Sequence, residues 1–303
     1  MRSNDVVNLS IDGVSDSDEQ NLKLKAISSV FIVVTIVVAI LGGESCFYPV
    51  MALLSGFMCR EWIDLRNNAT TQIVHKGCAP AILFRLGVAT LVIAMFSLLQ
   101  YRVFFCNSET FWEIVLVFSG GAAAIGICTS SLRNFVRFLL AFYVFLSISL
   151  LGRLYDTCGA IFVLWLFCIV WLSDTGAFLC GKKFGKRKLA PKVSPGKTWA
   201  GFWGGTIFTT LIVSLLWLFI TSSVRSTLRL SILTTILSIC SHLGDLIESA
   251  AKRYIGVKDI GRAIPGHGGF SDRFDSLLFV SLAAYSLRFI LSTVSQGCLA
   301  ISP

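Results

Sequence analysis

GAIFVLWLFCIVWLSDTGAFLC, residues 159–180, runs for 22 residues with one formal charge, Asp174. A transmembrane helix needs about 20 consecutive, mostly apolar residues, so this run is long enough to cross a bilayer. It is not isolated. Further apolar segments lie near 26–41, 45–59, 79–99, 111–128, 137–151, 200–220, 230–244 and 276–296. The 303-residue chain is 55% hydrophobic and 14% charged, whereas soluble proteins carry about 25% charged residues. That composition holds more apolar surface than one core could hide from water, which excludes a soluble globular protein. The expected fold is all-α, a polytopic integral-membrane helical bundle of about nine transmembrane helices.

Loop charge orients the bundle, because Lys and Arg accumulate on the cytoplasmic side. With the N-terminus cytoplasmic, alternate loops place twenty Lys and Arg inside and four (Arg102, Arg153, Arg225, Arg229) outside; Arg85 and Arg288 fall within spans. This puts both long polar loops, 181–199 and 245–275, on the cytoplasmic face. The net charge is +9, although residues 1–22 carry five acids against Arg2. Those residues read as a disordered acidic tail, since a cleavable signal would need a basic start. Residues 23–157 then form N-terminal transmembrane helices, and 158–303 a C-terminal transmembrane catalytic region with the two cytoplasmic loops. The ten cysteines form no C-x-x-C pair and mostly sit in apolar runs, so neither a disulfide framework nor a zinc site is expected.

Chemistry concentrates in those two loops. After the apolar run 230–243, a continuing helix would place Asp245, Glu248, Ser249, Lys252 and Arg253 at i, i+3, i+4, i+7 and i+8, one polar stripe. Taken alone, the stripe also suits a helix leaving the membrane with an i,i+4 pair such as Glu248 and Lys252. Downstream, glycines flank His267, and Asp272 and Asp275 stand three apart at a helix start. Together with Asp245 they make an oxygen-rich site suited to Mg²⁺, a hard cation held by one or two carboxylates plus substrate phosphates. The plainer reading of Asp272 and Asp275, helix capping, leaves the adjoining His, Arg and glycines unexplained.

In the other loop, Asp174 lies inside an apolar span, where an ionisable side chain is costly and marks a functional candidate. Ser194, Lys197 and Thr198 offer hydroxyls and a cation at the mouth of the next helix, a favourable place for phosphate. Lys182, Lys183 and Lys188 read as topology determinants. Gly196-Lys197-Thr198 is not a Walker A loop, because Pro191 occupies the position of its first glycine.

The run Ser249-x2-Lys252-Arg253-x4-Lys258-Asp259-x-Gly261-x2-Ile264-Pro265-x-His267-Gly268-Gly269-Phe270-x-Asp272-Arg273-Phe274-Asp275 resembles the signature of the bacterial-type phosphatidate cytidylyltransferases, also called CDP-diacylglycerol synthases. Asp174-Thr175-x-Ala177-Phe178 and Ser194-Pro195-x-Lys197-Thr198-Trp199 resemble that family in the same order. The resemblance implies a multi-pass enzyme of a bacterial inner membrane, active on its cytoplasmic face. It would join CTP and phosphatidic acid to give CDP-diacylglycerol and pyrophosphate with Mg²⁺.

By the same resemblance, Asp245 and Asp272 are metal carboxylates, and Lys252, Arg253, Lys258, Asp259, His267, Arg273 and Asp275 belong to the catalytic site. Asp174, Ser194, Lys197, Thr198, Glu248, Ser249, Gly268 and Gly269 are expected to bind substrate. A homodimer is allowed, and no nucleic-acid partner is expected. Two departures stand in the substrate loop: Gly196 replaces a family Lys, and Ala200 replaces a Glu.

For that reaction the nucleophile is a phosphate oxygen already ionised, so catalysis reduces to alignment and charge neutralisation. A CTP-dependent polyprenol or lipid kinase would instead pass the γ-phosphoryl to a hydroxyl and need a base. A transporter would gather its charges near the midplane rather than at cytoplasmic helix ends.

Overall fold

A computed structural model describes residues 28–71, 132–261 and 269–294. The acidic tail, the apolar segments 79–99 and 111–128, and His267 and Gly268 lie outside the described residues. Within them the chain forms six helices and one small hairpin. They are α1 (Ser28–Leu41), α2 (Glu44–Thr71), α3 (Leu132–Phe184), β1 (Lys188–Ala190), β2 (Ser194–Thr198), α4 (Trp199–Thr221), α5 (Val224–Ile255) and α6 (Ser271–Val294). Among the described residues three helices, within α3 and over α4 and α5, are long and apolar enough to cross a membrane. The protein is a helical membrane protein.

The longest helix is two. Helical geometry breaks inside α3 at Gly159, whose φ of 82° and ψ of 171° suit a residue without a Cβ. Tyr143 and Asp174 stand 31 positions apart on opposite arms, yet both lie close enough to Asp275 to feel its charge. A straight helix would separate them by roughly 46 Å, so the chain doubles back at Gly159. The arms 132–158 and 160–184 correspond to the separate spans expected at 137–151 and 159–180.

Local sequence explains the other ends. Thr198 caps α4 by accepting the Gly201 N–H at 3.1 Å. The helix stops at Ser222, left-handed at φ 51°, and Ser223 then caps α5 through the Ser226 N–H. That two-residue turn makes α4 and α5 antiparallel neighbours. Their seam is a ladder of hydroxyls, with Thr210 bonded to Thr235 at 3.0 Å and Ser214 to Ser231 at 2.6 Å. In lipid, hydroxyls find partners on the facing helix because water is absent. A stripe of α4 running beside this seam exposes Trp203, Ile207, Leu211, Leu215 and Phe219, a face suited to acyl chains.

At 32 residues α5 is about 48 Å long, well beyond a hydrocarbon layer of about 30 Å. Its last turns carry the charged and polar residues from Asp245 to Arg253. Gly256 ends it with φ 90° and an N–H shared between the Lys252 and Arg253 carbonyls.

The hub is α3, which packs on α2, α4, α5 and α6. Its first arm meets α2 in the main apolar core, where Phe47, Met58, Phe145 and Leu151 are fully buried. Its second arm crosses α4 closely: a Cβ at Gly201 would lie 2.8 Å from the Ala177 carbonyl, and one at Gly205 2.6 Å from that of Ser173. The all-α expectation needs one amendment. The loop 181–199 contains an antiparallel hairpin, pairing Lys188 with Thr198 and Ala190 with Ser194. Outside the helices its backbone groups still require partners, and the two strands supply them to each other.

Candidate active site

Where the second arm of α3, the hairpin and the adjoining ends of α4 and α5 converge, they enclose a cavity of about 410 Å³. From α3 come Asp174, Phe178, Gly181 and Lys182; from the hairpin Lys188, Lys197 and Thr198; from α4 and α5 Phe202, His242 and Asp245. Lys197 reaches across to Asp245, Nζ to Oδ2 at 2.5 Å, and Ser249 donates to the other oxygen of Asp245 at 3.2 Å. Arg253 anchors the hairpin from the same helix, donating to the Val193 carbonyl at 3.3 Å. The two polar loops are thus joined directly, by contacts between residues 48 and 60 positions apart in sequence.

A second cluster adjoins the first. Lys252, almost fully buried, lies 2.7 Å from Asp272 Oδ1 and 3.2 Å from Glu248 Oε1. Asp272 Oδ2 accepts the N–H groups of Ile260 at 3.1 Å and Gly269 at 2.9 Å, which ties both flanks of the intervening segment to the start of α6. Glu61, on α2, accepts the N–H groups of Phe270 and Ser271, each at 2.9 Å. Burial pushes the Glu61 carboxyl above the usual range, while those N–H bonds pull the other way. It lies two residues beyond the apolar stretch 45–59.

The structure sorts the expected site residues into groups. Asp174, Lys197, Thr198 and Asp245 share the cavity wall, although the Thr198 hydroxyl is already engaged as a helix cap. Glu248, Lys252 and Asp272 form the buried cluster, and Ser249 supports Asp245. Asp275 lies electrostatically between the two groups, near Asp245, Asp174 and Lys252. Arg273 is exposed, within electrostatic reach of Asp174. Lys258 and Asp259 are exposed on the turn after Gly256. Ser194 sits in β2 away from the cavity wall, and Gly269 belongs to the Glu61 and Asp272 contacts.

Sequence reasoning missed four contributors. Lys182 and Lys188, read as topology determinants, are exposed on the cavity wall. His242 also lines it, bonded to the Ser173 hydroxyl at 3.2 Å and packed on the Phe202 ring with centroids 5.1 Å apart. Its signal was its place three residues before Asp245, on the same helix face. Glu61 had no such signal beyond being an acid just past an apolar run.

The donor set bears on a divalent cation. Among the described residues no group of three or more His, Cys, Asp or Glu side chains is arranged as a metal cage. Mg²⁺ does not require one, since it keeps waters and takes one or two carboxylates with substrate phosphates. Among the described residues, the five carboxylates of Asp174, Asp245, Glu248, Asp272 and Asp275 are electrostatically linked with three cations, Lys197, Lys252 and Arg273. That imbalance fits an added cation. Asp245 lines the cavity with its oxygens engaged by Lys197 and Ser249, and both oxygens of Asp272 likewise accept donors.

Comparison with known proteins gives a consistent result. Residues 23–291 match the profile of the Cytidylyltransferase family. The chain is 46% identical over 154 residues to the phosphatidate cytidylyltransferase of Staphylococcus aureus and 44% over 154 residues to that of Staphylococcus saprophyticus. Each of these alignments covers 49% of this chain and 59% of the relative. With the phosphatidate cytidylyltransferase of Bacillus subtilis it shares 36% identity over 209 residues, 68% of this chain and 71% of the relative. The chain thus spans somewhat more than half the length of the staphylococcal relatives it matches.

Proposed function

Because this chain belongs to the cytidylyltransferase family, we propose that it joins CTP to phosphatidic acid, forming CDP-diacylglycerol and releasing pyrophosphate. The observation that carries this reading is the cavity itself. Three lysines, 182, 188 and 197, face it beside the carboxylates of Asp174 and Asp245, at the end of helices whose other flanks are apolar. A polyphosphate needs the cations, and a lipid partner needs a site within reach of the membrane.

In the transfer, an ionised phosphate oxygen of phosphatidate attacks the α-phosphorus of CTP. The new P–O bond forms as the bond to pyrophosphate breaks, and pyrophosphate departs with the electron pair. No proton has to be removed from the nucleophile, so the side chains act by alignment and charge neutralisation. Lys182, Lys188 and Lys197 screen the triphosphate, Asp245 positions Lys197, and Arg273 offsets charge from the side of α6. Mg²⁺, when bound, supplies further neutralisation of the phosphate oxygens. Asp245 and Asp272 are the carboxylates proposed to hold it, each exchanging one of its present partners.

The remaining organisation follows the same reading: nine spans with a cytoplasmic N-terminus, a bacterial inner membrane, the site on the cytoplasmic face, and a catalytic region from residue 158. A homodimer is compatible with it.

The test is incubation of purified protein with phosphatidate, Mg²⁺ and CTP labelled at the α-phosphate, followed by lipid extraction. Label in the lipid phase, lost on chelation and restored by Mg²⁺, is the expected result. Lipid labelled only when the γ-phosphate carries the label would replace this reading with a lipid kinase.

A further inference from the structure

Glu61 takes no part in the cavity wall and belongs to none of the motifs in the C-terminal half, yet it meets the segment that carries them. Its two carboxylate oxygens accept from consecutive amides, Phe270 and Ser271, 209 and 210 residues away in sequence. These are among the first N–H groups of α6, which lack partners within the helix. A carboxylate there makes charge-assisted bonds and also meets the positive end of the helix dipole.

The fit around it is close. A Cβ at Gly261 would fall 2.6 Å from Glu61 Oε1, and one at Gly269 would fall 2.8 Å from both oxygens. One turn earlier on α2, Phe57 stacks on Phe270 with ring centroids 5.5 Å apart. Next to Glu61, Trp62 is 1% exposed, which fixes α2 in the core. Asp272 takes the Gly269 amide, so Glu61 and Asp272 together hold three consecutive N–H groups, 269 to 271. Without Glu61, the start of α6 would lose these two hydrogen bonds to α2 and keep the Phe57–Phe270 stack.

We propose that Glu61 is a positioning residue for the transfer step, acting from α2 to set the start of α6 and hence the places of Asp272, Arg273 and Asp275 relative to the cavity. The proposal rests on the cytidylyltransferase reading of that site. It requires that Glu61 affect alignment rather than nucleotide capture, because the described residues on the cavity wall come from α3, the hairpin and its approach, α4 or α5, and none from α2 or α6.

The experiment uses the full-length protein in detergent with Glu61→Gln, Glu61→Ala, Gly261→Ala and the Glu61→Ala/Gly261→Ala double variant. Glutamine keeps the size but presents one acceptor and turns its amide N–H groups toward a backbone donor. Glu61→Gln and Gly261→Ala are expected to lower kcat by about fivefold or more while KM for CTP stays within about twofold. In the Glu61→Ala background, the added methyl at 261 no longer meets the carboxylate and keeps only the 3.2 Å approach to the Gly269 Cα, so it should cost less in kcat and melting temperature than it does beside Glu61.

Smaller losses in kcat, a rise in KM that accounts for the loss, or penalties at 61 and 261 that simply multiply would overturn the proposal. Should Glu61→Gln fail to fold, the Gly261→Ala measurements and the comparison of the two alanine backgrounds decide. Were the wild-type protein to make no CDP-lipid, the functional reading would fall, and coupling in melting temperature would still report whether Glu61 holds the loop.

Discussion

Removing the Lys252 ammonium tests the buried cluster most directly. Its Nζ lies 2.7 Å from Asp272 and 3.2 Å from Glu248, and the side chain is 8% exposed. At an effective dielectric of about 20, those separations correspond to roughly 6 and 5 kcal/mol of gross attraction. Desolvation of three charged groups offsets most of that. Lys252→Met, however, removes one partner and leaves two carboxylates buried beside Asp275, a change that costs about 3–5 kcal/mol.

Adding Asp272→Asn should recover part of the loss, because an amide oxygen still accepts from Ile260 or Gly269 without a buried charge. Unfolding in mixed micelles, followed by tryptophan fluorescence, measures both variants. A loss below about 1 kcal/mol for Lys252→Met would match an exposed ion pair and refute the view that this cluster is desolvated.

Other expectations concern single contacts. Asp272→Asn in membranes should lose most CTP-dependent formation of CDP-lipid while the protein still inserts; an effect under about threefold would contradict an essential role. Lys182→Ala and Lys188→Ala should each raise KM for CTP, by about tenfold if each loses one charge-assisted phosphate contact, and kinetics across CTP concentration would show it. Gly205→Ala places a methyl 2.6 Å from the Ser173 carbonyl and 3.0 Å from His242 Nε2. Such overpacking costs about 1–3 kcal/mol, read as a lower melting temperature. Thr198→Ala removes the cap of α4 and should cost about 1 kcal/mol, with Thr198→Ser retaining most of it.

Much of the helical framework was legible because its signals are local. The apolar segments at 200–220 and 230–244 lie inside α4 and α5, and the polar stripe from Asp245 to Arg253 does ride one continuous helix. The helix ends are set by caps such as Thr198, Ser223 and Gly256, local signals that the hydropathy reading did not use. The hairpin at 188–198 was not legible, because its strands are three and five residues long and carry little periodicity. Lys182 and Lys188 were not singled out as cavity residues for a different reason: a loop lysine looks the same in sequence whether it faces water or a cavity.

By itself, the order of residues determined that this protein lives in lipid, where its helices run and which two polar segments carry charge, since hydropathy and capping act over a turn or a span. Only the tertiary structure decided which acid meets which cation. Asp245 is held by Lys197 from the hairpin, Asp272 by Lys252 and two amides, and the amides of Phe270 and Ser271 by Glu61 from a helix some two hundred residues earlier. Such pairings depend on how whole helices cross and on close approaches allowed by glycines such as Gly201, Gly205 and Gly261. Those distances arise between segments, and local propensity along the chain does not encode them.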